Sequence, residues 1–388
     1  MKVQKLKSYI LVFSALLLLL SIAACSSKIL KKDNSEQLLK SDEYDKAVSI
    51  SKVQGPTGRY VKLGPSEYQE LYGNRNNSKT KVIKIKPTKT QAKIKAEIGP
   101  PPPLVHQPSF EDAESFNQRR PVVDPFRVGE KMTFEVSYFG VVAGEMSMKV
   151  LPFIYVNGRK SYHFAASGQT VSVFEMFYAV DDWLETFVDF ENLIPMSYAL
   201  HVKESKQLRE TRCFFNWQTH KGSYWDKRVT KEDGVEEKKY EWDILDYSQN
   251  IFSAPFYLRN FKLEVGKKLV YRLAHEKENI LVTAEVLRRE KLKTQAGEFD
   301  AIVLQPHIEI GGVFKPIGDI FLWLSDDDRK FILRIESKIK IGKIVAEIKS
   351  LERGDEKSIL EPTPSPAPSP NLEAEEKPER AFEPVKNK

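Results

Sequence analysis

Alternation of apolar and polar side chains is the dominant signal between about Pro121 and Arg353. From Lys131 to Tyr138 the even positions Met132, Phe134, Val136 and Tyr138 are apolar, and the odd ones are polar. After Gly140 and Gly144 the same period returns, with Met146, Met148 and Val150 set against Glu145, Ser147 and Lys149. A period of two places one set on each face of a strand, so these segments predict two half-buried strands joined by a glycine-containing turn. Asn157-Gly158 and Asp233-Gly234 predict further hairpins, because both positions of each pair tolerate positive φ. Tyr198, Leu200 and Val202 continue the pattern, as do Ile280, Val282, Ala284 and Val286. Phe331, Leu333, Ile335, Ile339 and Ile341 form one predicted face. Gly342 turns the chain, and Ile344, Ala346 and Ile348 form the next. One stretch departs from the rule. In Asp246–Asn260 the residues Ile251, Phe252, Phe256 and Leu258 fit a helical stripe, and Pro255 confines the helix to a short piece starting near Ser253.

The predicted fold class is therefore mainly β: a large curved antiparallel sheet, an open barrel or β-roll, with one short helix as plug or lid and disordered tails on both sides. A sheet that alternates this cleanly has one dry and one wet face. Curvature lets the dry face meet itself, and a chain of 388 residues is long enough to bury a sizeable core.

The two ends have a different character. Lys2, Lys5 and Lys7 precede an apolar run from Tyr9 to Leu20, and Ile22-Ala23-Ala24-Cys25 follows. A basic start, a short apolar core and a small-residue exit make a secretory signal. The run is shorter than the roughly 20 residues that span a bilayer. Ile22–Cys25 resembles the lipobox of bacterial lipoproteins. That resemblance implies cleavage between Ala24 and Cys25, a diacylglycerol thioether on Cys25 and acylation of the new amino terminus with chains such as palmitate. Two or more acyl chains hold a protein stably on a membrane. Ser26, where an Asp would favour inner-membrane retention, implies the outer membrane, facing the periplasm. The expected organisation is a signal peptide over 1–24, a lipidated start and disordered tether over 25–120, a β-rich domain over 121–353 and a proline-rich disordered tail over 354–388. As a flexible coil the tether would span roughly 55 Å. The tail's Pro362–Pro370 repeat reads as a spacer, with a docking peptide as the alternative.

Charge and cysteine content narrow the function classes. The net charge of +6 is small for this length and both signs are mixed, which argues against a nucleic-acid surface. Part of the excess sits in one run from Lys79 to Lys95, a solvated segment whose sharper alternative is attraction to anionic lipid or cell-wall polymers. With Cys25 lipidated, Cys213 has no partner for an internal disulfide, and its phase with Phe215 and Trp217 predicts a buried thiol. The six histidines include no metal-binding spacing, and no nucleophile or phosphate-loop motif is present. His201 is expected on a polar face as a solvated imidazole. Asp326-Asp327-Asp328 and Asp181-Asp182 read as polar hairpin tips, with calcium ligation the alternative for the first. Hydrolysis by Glu135 or Asp181 is the least supported reading. No metal, catalytic residue or cofactor is expected.

Several segments together resemble the bacterial family called domain of unknown function 3108. They are Phe126-Arg127-Val128-Gly129-Glu130, Gly140–Glu145, Ile251–Arg259, Leu263–Gly266, Thr294–Asp300, Trp323–Asp327 and Ile339–Gly342. The resemblance implies an envelope setting and a β-rich fold over about residues 122–352, without an assigned activity. The expected function is that of a non-enzymatic, lipid-anchored envelope protein whose concave apolar face binds a hydrophobic ligand: a lipid, glycolipid or peptide. The alternative is a scaffold that links the membrane to envelope proteins or the cell wall through its tails, with a filled interior. An apolar cavity of several hundred Å3 would separate the first from the second.

Overall fold

The computed structural model describes residues 42–54, 59–62, 120–310, 313–315, 320–338 and 342–358. The signal region with Ala24 and Cys25, the lysine run, Ile339, Ile341 and the proline repeat lie outside the described residues. In chain order the strands are β1 (Ile50–Gln54), β2 (Arg59–Lys62), β3 (Glu130–Tyr138), β4 (Val141–Val156), β5 (Arg159–Thr170) and β6 (Asp181–Asp189). Then come β7 (Pro195–Lys203), β8 (Gln207–Asn216), β9 (Lys221–Thr230), β10 (Gly234–Asp243), β11 (Lys268–His275) and β12 (Glu278–Thr294). The last are β13 (Gly297–Ile310), β14 (Val313–Lys315), β15 (Ile320–Ser325), β16 (Ile332–Lys338) and β17 (Lys343–Arg353). Three short helices are α1 (Asp42–Ala47), α2 (Ser172–Glu175) and α3 (Ala254–Tyr257).

One antiparallel ladder runs β11-β12-β13-β15-β16-β17-β3 and continues β4-β5-β6-β7-β8-β9-β10. No ladder joins β10 to β11 among the described residues, so the sheet is an open roll. The chain leaving β10 stitches the seam. Gln249 forms a parallel bridge with Leu273, and Asn279 Nδ2 donates to Asp243 O at 2.9 Å. The expected open, curved, mainly β architecture is the one found.

The inward face is the alternating apolar set. Met132 pairs with Met148 and Phe134 with Met146, and all four are buried. The predicted helix is α3, extended by a 3-10 turn over Leu258–Asn260. Pro255 sits in its first turn, where a missing N–H costs nothing. The helix plugs the roll: Phe256 stacks on Phe164 with centroids 4.0 Å apart and meets Phe126 edge-on.

The outward face is not uniformly wet, and the segment 25–120 is not wholly a loose tether. A bulge in β4 between Leu151 and Ile154 shifts the register against β5. It falls at Pro152, whose missing N–H disrupts a ladder. Beyond it the even-numbered residues change face, so Ile154 and Val156 join Phe187 and Met196 in an outward apolar patch. Residues 42–51 cover that patch as a strap, burying Tyr44, Val48 and Ile50. Tyr44 Oη and Ser197 Oγ lie 2.6 Å apart, and Asn157 Oδ1 accepts from Ser49 N at 2.7 Å. Low overall apolar content hid three well-spaced core residues.

Strand directions define two ends. The lower end holds the start of β3, the turns 157–158 and 190–194, and the end of β17. A buried ion cluster closes it. Glu130 and Arg259 are both fully buried, with Arg259 Nη1 donating to Glu130 Oε1 at 2.6 Å. Arg329 Nη2 donates to the other carboxylate oxygen at 2.8 Å. Arg259 and Arg329 also donate to Pro125 O, and Arg259 reaches Arg329 O. The guanidinium of Arg259 lies over Phe126 and Phe331. The segments at Arg120 and Ser358 meet here, since Arg120 donates to Glu191 O and Val128 N donates to Ser358 Oγ, whereas the strap starts beside Trp225 of β9 and Lys239 of β10. Removing one member of a buried pair strands the others uncompensated. Glu130→Ala is therefore expected to lower the unfolding free energy by about 3–5 kcal/mol in urea titration. Lys131→Ala, which breaks an exposed 3.3 Å bridge to Glu352, should change it by less than about 1 kcal/mol.

Candidate functional site

The upper end is built differently. Residues 171–180 form a loop between β5 and β6 that carries α2 and runs along the upper rim from β4 to the β7–β8 turn. Its hinges are polar. Val171 N donates to Ala143 O, Val180 N to Thr170 Oγ1, and Ala179 N to Ser205 Oγ. Tyr178 Oη donates to Glu204 Oε2 at 2.6 Å. Beneath lies a cavity of about 40 Å3, lined by Met146, Ala166, Leu184, Leu200, Val202 and Phe252 among others. At about 10–15 Å3 of such volume per water it has room for about three waters. Ligand cavities run to about 300–1,000 Å3, so this cavity is too small for one, and aromatic side chains pack the core around it.

A polar belt crosses the inward face above that core. Arg209 Nε donates to Asp226 at 2.6 Å and Nη2 to Tyr224 Oη at 2.8 Å, with Glu276 of the β11–β12 turn at 3.3 Å. Asp182 and Glu204 sit beside it. Burial pushes Asp182 well above the ordinary carboxylate range, and the neighbouring Glu204 carboxylate pushes it further, while a hydrogen bond from Lys203 N opposes both. Burial likewise raises Glu204, against the hydrogen bonds from Tyr178 and Gln207. His275 is lowered by burial. Within the belt the carboxyls of Asp182 and Glu204 thus hold protons more tightly than usual, and the His275 imidazole holds its proton less tightly.

Several residues fall differently from the sequence reading. Asp182 is not a polar tip: it is in phase with Leu184 and faces inward, and its 2.8 Å acceptance from Lys203 N fixes the start of β6 against β7. Asp181 does face outward, with Lys203 Nζ at 3.7 Å. His201 is on the outward face as expected, yet it is not solvated: it stacks on Trp183 and pairs with Glu210. Cys213 is fully buried, and that burial raises its thiol well above the usual range, which makes it a poor nucleophile. Asp327 caps a turn by accepting from Arg329 N and Lys330 N, and Asp326 pairs with Arg289. Glu135 lies opposite Glu145 and Glu347 on the outward face. Sequence reasoning missed the belt, although Asp182, Arg209 and Asp226 all stand at inward-phase positions.

The upper rim is also the apolar part of the surface. Phe139, Val141, Val142, Val173, Met176 and Phe177 are six of the eleven exposed large hydrophobic residues among those described. They come from two adjacent loops, and the Phe139 ring lies across Gly342, where a Cβ would meet it at 2.6 Å. Gly342 has φ +84°, so the turn needs glycine twice over. Beside Phe139 an outward groove of about 650 Å3 is lined by Arg334, Lys338 and Lys343 against the single carboxylate of Glu336.

The raised Asp182 carries a signed pH dependence. In the fold it keeps a proton that the unfolded chain gives up above about pH 4, so its contribution to stability is full below that and lost as pH rises. Asp182→Asn should flatten the decline in urea midpoint as pH rises above about 4. Parallel profiles for the two proteins would refute a proton held at this position.

Among solved structures, a β-barrel-like protein of domain of unknown function 1849 from Brucella abortus is similar at 11% identity, covering 58% of this chain and 98% of that one, with TM-score 0.38. A candidate exported protein with a YmcC-like fold from Bacteroides fragilis matches at 8% identity over 59% and 98% of the two chains, TM-score 0.27. A candidate lipoprotein from Parabacteroides distasonis matches at 9% identity over 59% and 97%, TM-score 0.26. No curated protein matches this chain. The family model described as "Protein of unknown function (DUF3108)" matches residues 133–349, the roll from β3 to β17. The chain belongs to the DUF3108 family.

Proposed function

We propose that this is a lipid-anchored, non-enzymatic protein of the bacterial cell envelope. In this reading the roll is a rigid docking module, a scaffold rather than a carrier of an enclosed lipid. The observation that carries the choice is the interior: a cavity of about 40 Å3 under Phe252 leaves no room for an acyl chain. The anchor rests on the lipobox-like Ile22–Cys25, and outer-membrane placement on Ser26. A module with its core packed offers partners its surface, and the upper rim carries six of the eleven exposed large hydrophobic residues among those described.

The strap bears on geometry. Because the strap is seated on the roll from Asp42 onward, the chain from Cys25 to the roll reaches at most about 60 Å even when fully extended. The roll therefore works near the membrane that holds Cys25. Glu130 at the lower end and Asp182 at the upper end are structural in this reading, so neither is expected to contribute to a reaction.

Two measurements test the proposal. Native mass spectrometry of the full chain purified from membranes should find no hydrophobic adduct beyond the covalent acyl groups; a stoichiometric bound lipid or glycolipid would return the roll to the carrier class. Labelled palmitate should enter the wild type and be lost in Cys25→Ala. Equal labelling of both would remove the anchor.

A further inference from the structure

The upper rim joins two features that recognise different parts of one partner. Its loops expose Phe139, Val141, Val173, Met176 and Phe177, each more than half accessible, on two neighbouring turns held together by the Val171 N to Ala143 O bond. The groove beside them is lined by Arg334, Lys338 and Lys343 against Glu336, and Arg334 also pairs with Glu347, so three cations face two carboxylates and a single net positive charge remains. Lys343 is 57% exposed, whereas its partner Glu336 is only 15% exposed. Arg334 lies over the Trp323 ring and Lys338 over Phe321, so the cations sit on an aromatic floor. A large apolar patch rimmed by polar groups marks an interaction surface. Apolar loop tips with lysines set beside them match a layered partner, anionic at its surface and hydrocarbon beneath.

We propose that the upper rim docks onto an anionic phospholipid bilayer, Phe139, Val173, Met176 and Phe177 entering the acyl boundary while Arg334, Lys338 and Lys343 meet the headgroup phosphates. This rests on the docking-module reading and names its partner. It is a second membrane contact, separate from the acyl chains on Cys25, and it lies at the end of the roll opposite Arg120 and Ser358. A protein partner would need shape complementarity at the loop tips, for which the geometry offers only two narrow turns. A bilayer needs none.

The test removes the covalent anchor and keeps the rest of the chain. The chain from residue 25 onward carrying Cys25→Ser is floated with phosphatidylcholine vesicles, with and without phosphatidylglycerol. Binding to the phosphatidylglycerol vesicles is expected, weakening with added salt and on phosphatidylcholine alone. Val173→Asp with Phe177→Asp should lower partitioning by about tenfold or more. Lys338→Glu with Lys343→Glu should do the same at low salt. All four side chains are exposed, so the urea midpoint is expected to stay at the wild-type value and a loss of flotation is a loss of contact. A wild-type chain that fails to float overturns the proposal, as do variants that float as well as wild type. The outcome is independent of the interior: a chain that floats yet carries an enclosed lipid would refute the filled-core reading and leave the rim contact standing.

Discussion

Two arginines share one carboxylate at the lower end, and the topology of the roll depends on that arrangement. Glu130 opens β3, Arg259 ends the helical plug, and Arg329 precedes β16, so one buried carboxylate fixes three segments that are remote in sequence. Burying three charges is costly, and attraction offsets the cost only if the remaining donors are used. Here they are used: the carbonyls of Pro125, Arg329 and Arg353 accept guanidinium protons, and Glu356 takes the exposed side of Arg329. The cluster does what apolar packing cannot. It specifies which segment meets which, because a misplaced strand would leave an unpaired charge in the core.

That lock makes the roll asymmetric. The segments at Arg120 and Ser358 and the plug's last turn converge on the lower end, where ion pairs and packed rings around Phe126, Tyr162, Phe190 and Phe331 hold them. The upper end is held by single hydrogen bonds at the hinges of the 171–180 loop and by a belt of protonatable groups. Cooperative units with fewer buried apolar contacts open at lower free energy. Rigidity at one end and exposed apolar tips at the other divide the molecule into a fixed frame and a contact surface.

Period-two alternation made most of the inward face legible: Met132 to Val136, Met146 to Val150 and Ile344 to Ile348 all point where their phase places them. The short helix at Ser253 was legible too, since proline fixed where it could begin. Two kinds of feature were not. The first is a change of phase. The Pro152 bulge turns Ile154 and Val156 outward, and no local period announces the strap that covers them 100 residues earlier in the chain. The second is charge at inward positions. Glu130 stands in phase with Met132, and Asp182 with Leu184, so each was visible as a polar residue on an apolar face. Their partners, Arg259 and Glu204, lie in other segments, and pairing across such separations leaves no spacing to read.

The strap ties the N-terminal part of the chain to the roll. Residues 42–51 bury Tyr44, Val48 and Ile50 on a patch that exists only because β4 changes phase, so the bulge that disrupts one ladder creates the seat for another segment. Burying each of these side chains is worth roughly 1.5–3 kcal/mol before ordering entropy is subtracted. That is enough to hold a short segment, yet it is far below the ladders that hold β4 to β3 and β5. The strap is therefore the weakest described link between the roll and the chain that leads back to Cys25. Its seat on the outward face sets how far the chain between Cys25 and the roll can stretch, so a bulge in β4 fixes where that chain meets the sheet.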